Sequence, residues 1–345
     1  MTGSGSSFKV GMLSPISWRT PPRGYGPWEL FVSLLTEGLV ERGIDVTLFA
    51  TKDSITNATL SGVVAQGYSE NEHQDAKVGE ALHLAALFER AAEFDIIHNS
   101  FDFLPLCFSR LVTPPMVTTI HGFSSEKIVP VYQKYDSTSH YVAISAADRH
   151  PSLNYAATIH HGIEMDAFEV GTGTRDYLLF FGRIHPDKGT HEAIMAAREA
   201  HLPLIIAGIV QDRDYFEQQV LPHIDGNQVK FVGAVSREDK GALLAGARAL
   251  LHLINFDEPF GYSVVEAMAC GTPVVATRRG SMAELIIAGE NGLFVEDNGR
   301  VPIPEKNQFD PARVRASVEQ RYAHTRMIDE YITLYEKIIS GEIKP

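Results

Sequence analysis

Short apolar runs alternate with amphipathic stretches along almost the whole chain. FKVGML (Phe8 to Leu13) has the composition of a buried strand, and in the segment from Trp28 to Arg42 the residues Trp28, Phe31, Leu35 and Leu39 recur at helical spacing until Gly43 stops the pattern. Further strand-like runs are DVTLFA (Asp45 to Ala50), DIIH (Asp95 to His98), MVTTI (Met116 to Ile120) and YVAI (Tyr141 to Ile144), with helical patterns between most of them. The stretch Glu169 to Arg175, carrying Gly171 and Gly173, is weakly patterned and reads as a hinge. From Asp176 the alternation restarts with YLLFFG, LPLIIAG (Leu202 to Gly208), VKFVG (Val229 to Gly233) and ALLHLIN (Ala249 to Asn255). The closing stretch Arg313 to Ile339 is helical, and no tandem repeat interrupts the series. Strand and helix in strict alternation predict α/β architecture, here two Rossmann-like, doubly wound parallel sheets.

Length agrees: 345 residues are long for one core and sufficient for two. With 43 acidic against 30 basic residues the net charge is −13, which disfavours nucleic acid and gives no attraction to anionic lipid, leaving peripheral membrane contact open on other grounds. A small molecule is the expected partner. Cys107 and Cys270 are the only cysteines, one in each half, so no disulfide framework or cysteine metal site is expected and a reducing, cytoplasmic setting fits. No charged-then-apolar leader and no run of eighteen apolar residues occurs, and Met1 to Ser7 (MTGSGSS) reads as a flexible leader.

Two Rossmann-like halves suit a dehydrogenase as well as other nucleotide enzymes. Its fingerprint is missing, because the loop after the first strand has Gly24 and Gly26 but no third glycine and is too long for G-x-G-x-x-G. In GRIHPDKGT the lysine precedes the glycine, so it is not a G-K-[ST] phosphate loop. The fourteen histidines show no H-E-x-x-H or other clustered ligand spacing, and no metal or other cofactor is required.

The informative segment is FDEPFGYSVVEAMACGTPVVAT, Phe256 to Thr277. Glu258 and Glu266 stand in an E-x7-E spacing around a turn from the ALLHLIN strand into a helix, Ser263 to Cys270, stopped by Gly271 and Thr272-Pro273. Ligands of open α/β sheets lie outside the carboxyl ends of strands, where helix N-termini present amides to phosphate. Carboxylates there accept hydrogen bonds from sugar hydroxyls, which phosphate-binding donors cannot do. Gly261 allows close approach of the backbone. Ser263 to Glu266 is also S-x-x-E, a capping box by which Glu266 would only tie down its own helix; Ser281 to Glu284 repeats it. Glu258, beside Pro259, has no such alternative beyond a solvated loop charge.

This segment resembles the E-x7-E signature of family 4 glycosyltransferases, retaining enzymes of the GT-B fold. GRIHPDKG (Gly182 to Gly189) is similar to the family's G-R-x-x-x-x-K-G donor-phosphate motif, HGIEMDAF (His161 to Phe168) to the N-G-I-D segment leading into the hinge, and GSMAELI (Gly280 to Ile286) to the segment after the donor helix. The resemblance runs from Phe8 onward. It implies two Rossmann-like domains facing across a cleft: an N-terminal acceptor domain (1–168), a C-terminal donor domain (169–322) and a last helix (323–345) crossing back to the first. It also implies transfer of a hexose from a nucleoside diphosphate sugar to a small-molecule or glycan hydroxyl, with no metal.

By the same resemblance Arg183 and Lys188 meet the departing diphosphate, a bidentate fork and a point charge that both suit phosphate oxygens. Glu258 takes donor-sugar hydroxyls and Glu266 the ribose. The backbone of Phe260, Gly261, Tyr262 and Ser263 completes the phosphate cradle, and GAVS (Gly233 to Ser236), with Val235, meets the nucleobase through backbone groups. His121, after MVTTI and before Gly122, matches the family histidine near donor sugar and acceptor, against the alternative of a loop-capping role; charge stabilisation is its expected contribution. Gly24 and Gly26 allow approach of the diphosphate, although Pro27 stands where many relatives have the second glycine of G-G-[IM]-E, removing an N–H while remaining well placed at a first helical turn. Trp28 is assigned to the core. Acceptor contacts are expected from Ser14 to Arg23, His98 to Asp102 and Gly122 to Tyr135, with a strand-capping alternative for His98. The rivals are a non-catalytic nucleotide-sugar binding protein and a sugar-nucleotide epimerase of the same architecture.

Overall fold

The structure, a computed structural model, describes residues 8–345, apart from the side chains of residues 237 and 238; the leader Met1 to Ser7 lies outside the described residues. The chain divides into two compact units, residues 1–162 with 324–345, and residues 163–323.

The first unit is a parallel sheet of seven strands. They are β1 (Lys9–Leu13), β2 (Asp45–Phe49), β3 (Thr59–Ser61), β4 (Ile96–Asn99), β5 (Met116–Ile120), β6 (His140–Ala143) and β7 (Tyr155–Thr158), in the order β3-β2-β1-β4-β5-β6-β7. The order reverses between β1 and β4, so the loops leaving these two strands open at the switch point. Helices α1 (Pro27–Glu41), α2 (Ala76–Phe88) and α3 (Val129–Tyr135) connect them. Pro27 opens α1, where its missing N–H costs nothing, and Phe31, Leu35 and Leu39 are fully buried below it.

The second unit repeats the plan with six parallel strands: β8 (Tyr177–Phe181), β9 (Leu204–Ala207), β10 (Val229–Gly233), β11 (Ala247–His252), β12 (Val274–Ala276) and β13 (Gly292–Phe294), ordered β10-β9-β8-β11-β12-β13. Its helices are α4 (Thr190–Glu199), the single turn α5 (Arg213–Tyr215), α6 (Arg237–Gly246), α7 (Tyr262–Ala269), α8 (Met282–Leu285) and α9 (Pro311–Tyr322). The switch point lies between β8 and β11.

Two expectations change. The weakly patterned stretch Glu169 to Arg175 is anchored inside the second unit, because the Arg175 guanidinium donates to the carbonyls of Gly271 (2.9 Å) and Gly171 (3.4 Å) and Gly171 N–H donates to Cys270 O (3.1 Å). The break between units falls instead at Gly162–Ile163 and at Ala323–His324. The closing helix is in fact two, α9 and α10 (His324–Ile339), because Ala323 takes an extended conformation (φ −64°, ψ 136°) and bridges to Ile163. The helix α10 packs on α1 of the first unit, and Gly38 leaves room for Ile328, whose Cδ1 lies 2.0 Å from where a Cβ would stand.

Candidate functional site in the second unit

Two loops leaving the switch-point strands are laced together. After β8, Arg183 donates to the Gln211 side chain, and a short turn, Pro186–Lys188, is closed by Gly189 in the left-handed region (φ 72°). A Cβ at Gly189 would stand 1.9 Å from Leu253 O, so glycine is required for the β8 loop to lie against β11. Asn255, just past β11, donates its N–H to Asp187 O (2.8 Å) and its side-chain amide to Pro186 O (3.2 Å). This lacing brings Lys188 Nζ to 2.5 Å from Glu258 Oε2, seventy positions away, while the ammonium also lies 4.4 Å from the centre of the Phe256 ring.

Both members are mostly buried, with side-chain exposures of 14% and 15%. Burial alone would raise the Glu258 carboxyl, but the nearby His252 ring and the Lys188 ammonium outweigh it and hold the group at about 2. His252 Nε2 stands 3.6 Å from Oε2, too long for a hydrogen bond, so its pull is electrostatic at that distance. Glu258 is therefore an acceptor at any neutral pH.

The Glu258 loop is fixed from behind. Ser281 N–H donates to Glu258 O (2.9 Å), Ser281 Oγ to Phe260 O (2.5 Å) and Thr277 Oγ1 to Ile254 O (2.8 Å). Gly280 (φ 52°) has Glu258 N and O only 2.4 and 2.3 Å from the position of a Cβ. Gly280→Val should push the Glu258 backbone outward and lower kcat/KM at least about tenfold, equivalent to about 1.4 kcal/mol; wild-type kinetics in that variant would show that the loop tolerates the displacement.

Glu266 does not cap its helix. The helix α7 begins at Tyr262, with Gly261 (φ 97°) at the cap position and no side-chain cap, so Ser263 already lies inside the first turn. Glu266 is instead buried and its Oε1 pairs with Lys240 Nζ of α6 at 2.5 Å. Ser281 likewise spends its hydroxyl on Phe260 O rather than on α8. The hydrogen bonds of α7 begin at Val264 N–H to Gly261 O (3.1 Å), which places the Ser263 amide at the helix start, where such groups bind anions. The Phe260 side chain lies in the core against Tyr322 (5.8 Å), so only its backbone faces the loop. Val235 is half-buried between β10 and α6.

The first unit carries the remaining candidates. Gly24 is exposed, with open space around it, whereas Gly26 is buried at the start of α1, where a Cβ would meet Pro22 at 2.8 Å and the Glu29 carboxylate at 3.1 Å. Gly26 thus serves the entry into α1. Trp28 is not a core residue: it is half-buried and stacks on His121 with ring centres 5.2 Å apart. His121 Nδ1 is 3.1 Å from His161 Nε2, and burial, reinforced by His161 and His98, holds the His121 ring well below its ordinary pKa. A neutral ring offers an N–H dipole rather than an imidazolium charge. His98 is fully buried in β4, with both ring nitrogens engaged, by Tyr335 Oη and by Thr119 Oγ1 (2.9 Å), so it holds α10.

The loop after β1, expected to meet the acceptor, is clamped by acids. Trp18 N–H donates to Glu29 Oε1 (3.2 Å), Arg19 N–H to Glu70 Oε2 (2.9 Å), and the Arg23 guanidinium bridges Glu70 (2.7 Å) and Asp53 (3.1 Å). Burial, only partly offset by amides, pushes Glu29 from 4.5 up to about 7. The folded state therefore binds the proton more tightly, so this group's contribution is complete below pH 4.5 and is lost as pH rises through 7, about 3 kcal/mol in all. Glu29→Gln should melt higher than wild type at pH 8 and alike at pH 4; equal melting at both would mean that Glu29 is not buried in solution.

Lys240, His252, Trp28 and His161 were not picked out as site residues from the sequence. Lys240 has no local motif, and His252 sits inside an apolar run; only its interruption of ALLHLIN is a signal. Among the described residues no helix is long and apolar enough to cross a membrane.

Residues 164–301, within the second unit, match the family of Glycosyl transferases group 1. Over 81% of its length the chain is 26% identical to glycogen synthase of Mycobacterium tuberculosis, 80% of which is covered. The sucrose-phosphate synthase of Thermosynechococcus elongatus superposes over 97% of this chain and 100% of its own with a TM-score of 0.77 and 18% identity. The Anabaena protein HepE, solved in complex with UDP and glucose, does so over 95% and 99% with 0.71 and 19%.

Proposed function

We propose, for a chain that is a glycosyltransferase of the GT-B fold and the family 4 type, that it moves a hexose from a nucleoside diphosphate sugar to an acceptor hydroxyl, in the cytoplasm, with retention and without a metal. One observation carries the reading: an ionised carboxylate and an ammonium, Glu258 and Lys188, meet at 2.5 Å at the carboxyl ends of β11 and β8, where open sheets bind nucleotides. Such a pair answers both halves of the donor. The ammonium and the Arg183 guanidinium take up the negative charge that develops on the diphosphate as the anomeric C–O bond breaks. The Glu258 carboxylate accepts from sugar hydroxyls, and Glu266, steadied by Lys240, accepts from the ribose. The helix-start amide of Ser263 adds a neutral donor to the phosphate cradle, and the backbone around Val235 lies along the base.

In the proposed step the new bond forms from the acceptor oxygen to the anomeric carbon on the face the phosphate leaves, and the acceptor proton passes to the departing phosphate oxygen. Retention then needs no enzymic nucleophile. His121 contributes an N–H dipole. A relative that holds UDP and glucose supports a donor of this class.

The deciding experiment incubates the protein with UDP-glucose, GDP-mannose and ADP-glucose, with and without candidate acceptor glycans. Nucleoside diphosphate together with a new glycoside is the expected product. An isomerised sugar nucleotide would instead identify an epimerase, and binding without turnover a sensor.

A further inference from the structure

We propose that His252 is a positioning residue for Glu258, taking over as its hydrogen-bond donor when Lys188 turns to the diphosphate. The inference rests on the transferase reading and adds a residue to it.

His252 ends β11, and its neighbours Leu250, Leu251, Leu253 and Ile254 are all buried and apolar, so strand packing alone gives no reason for an imidazole there. The side chain is 7% exposed, and its Nε2 is buried without a hydrogen-bond partner. A buried nitrogen of this kind is seldom left unused. It is aimed at Glu258 Oε2 from 3.6 Å, the same oxygen that Lys188 holds at 2.5 Å. One oxygen thus has an engaged donor and a second in reserve.

The arrangement has a use because the Lys188 ammonium has two employers. In the empty site it neutralises Glu258; with donor bound it is wanted by the leaving diphosphate. As it turns, Oε2 loses its short partner. A shift of under about 1 Å brings Nε2–H within hydrogen-bond length of that oxygen. The carboxylate stays ionised and aimed, with Oε1 open to the sugar, and no water need enter. Without His252, Glu258 would either retain Lys188, weakening stabilisation of the leaving group, or swing toward solvent.

The test compares H252F, H252Q, E258Q and the double variant H252F/E258Q, reading diphosphate release from UDP-glucose, GDP-mannose and ADP-glucose together with binding of the free nucleoside diphosphates. We expect H252F to lower kcat ten- to a hundredfold and to weaken binding of the free diphosphates, because Glu258 then keeps Lys188, H252Q to recover most of both losses because its amide N–H reaches the same place, and the double variant to be no slower than E258Q. Wild-type rates in H252F, or additive losses in the double variant, overturn the proposal. So does H252Q as impaired as an H252F that melts like wild type, since packing alone would then explain the loss. Should H252F not fold, H252Q decides: near-wild-type turnover supports the handover, and a loss that persists additively in H252Q/E258Q refutes it. A wild-type protein that turns over none of the three donors removes the transferase reading itself, whereas wild-type turnover with an indifferent H252F removes this inference alone.

Discussion

Glu258→Gln is expected to lower kcat/KM about a thousandfold. The amide keeps the shape of the carboxylate but loses its charge, and two charge-assisted hydrogen bonds from sugar hydroxyls, at about 1.5–3 kcal/mol each, account for a loss of that order. Stability should respond as well. A carboxyl held from 4.5 down to about 2 contributes stability that is complete above pH 4.5 and is lost as pH falls through 2, amounting to about 3 kcal/mol. A solvated loop acid could be removed with little effect on melting; the ion pair of Glu258 with Lys188 means instead that the variant should melt several degrees lower yet remain folded at 25 °C. Donor kinetics and calorimetry check the two halves independently. Full activity in Glu258→Gln would dismiss the assigned role, and unaltered melting at pH 7 would dismiss the ion pair.

A chain ending at Ala323 is expected to lose the folded first unit. The helix α10 buries Met327, Ile328, Tyr331, Leu334, Tyr335 and Ile338 against Phe8, Val10, Phe31, Leu35 and Leu39. At about 1.5–3 kcal/mol for each large side chain, those six contribute on the order of 10 kcal/mol, comparable to the whole stability of an ordinary domain. The loss is not only apolar. Tyr331 Oη bonds Thr119 Oγ1 (2.7 Å), and Tyr335 Oη bonds His98, so truncation also strands two polar side chains inside the sheet. Ile328→Asp should lower the first unit's melting steeply for the same reason. A truncated chain that keeps the cooperative transition of the first unit would show that α10 is dispensable.

The strands Met116–Ile120 and Val229–Gly233 were legible to the residue, and most others to within two, because an apolar run between turn residues is a local property. The short strands Thr59–Ser61, Tyr155–Thr158, Val274–Ala276 and Gly292–Phe294 were not, since three or four residues are too few to show a period, and at the edges of the first sheet few side chains are buried as well. The capping box at Ser263 misled because the same four letters suit a helix start two residues later than the true one. Trp28 misled because helical spacing assigns a face but not how deep each position lies along it.

By itself, then, the sequence determined the alternation of strand and helix, the doubly wound class of both halves, and the placement of Arg183, Lys188 and Glu258 in loops beyond strand ends, with Glu266 in the helix that follows. These follow from periodicity and from glycines at fixed offsets, which act over a few residues. Only the tertiary structure decided that Lys188 meets Glu258, that Lys240 claims Glu266, that His252 waits beside the first pair, and that α10 returns to α1. Those partners stand from six to nearly three hundred positions apart. What joins them is the parallel register of the strands and the close approach allowed at Gly189, Gly280 and Gly38, and no local pattern encodes which loops such packing will bring together.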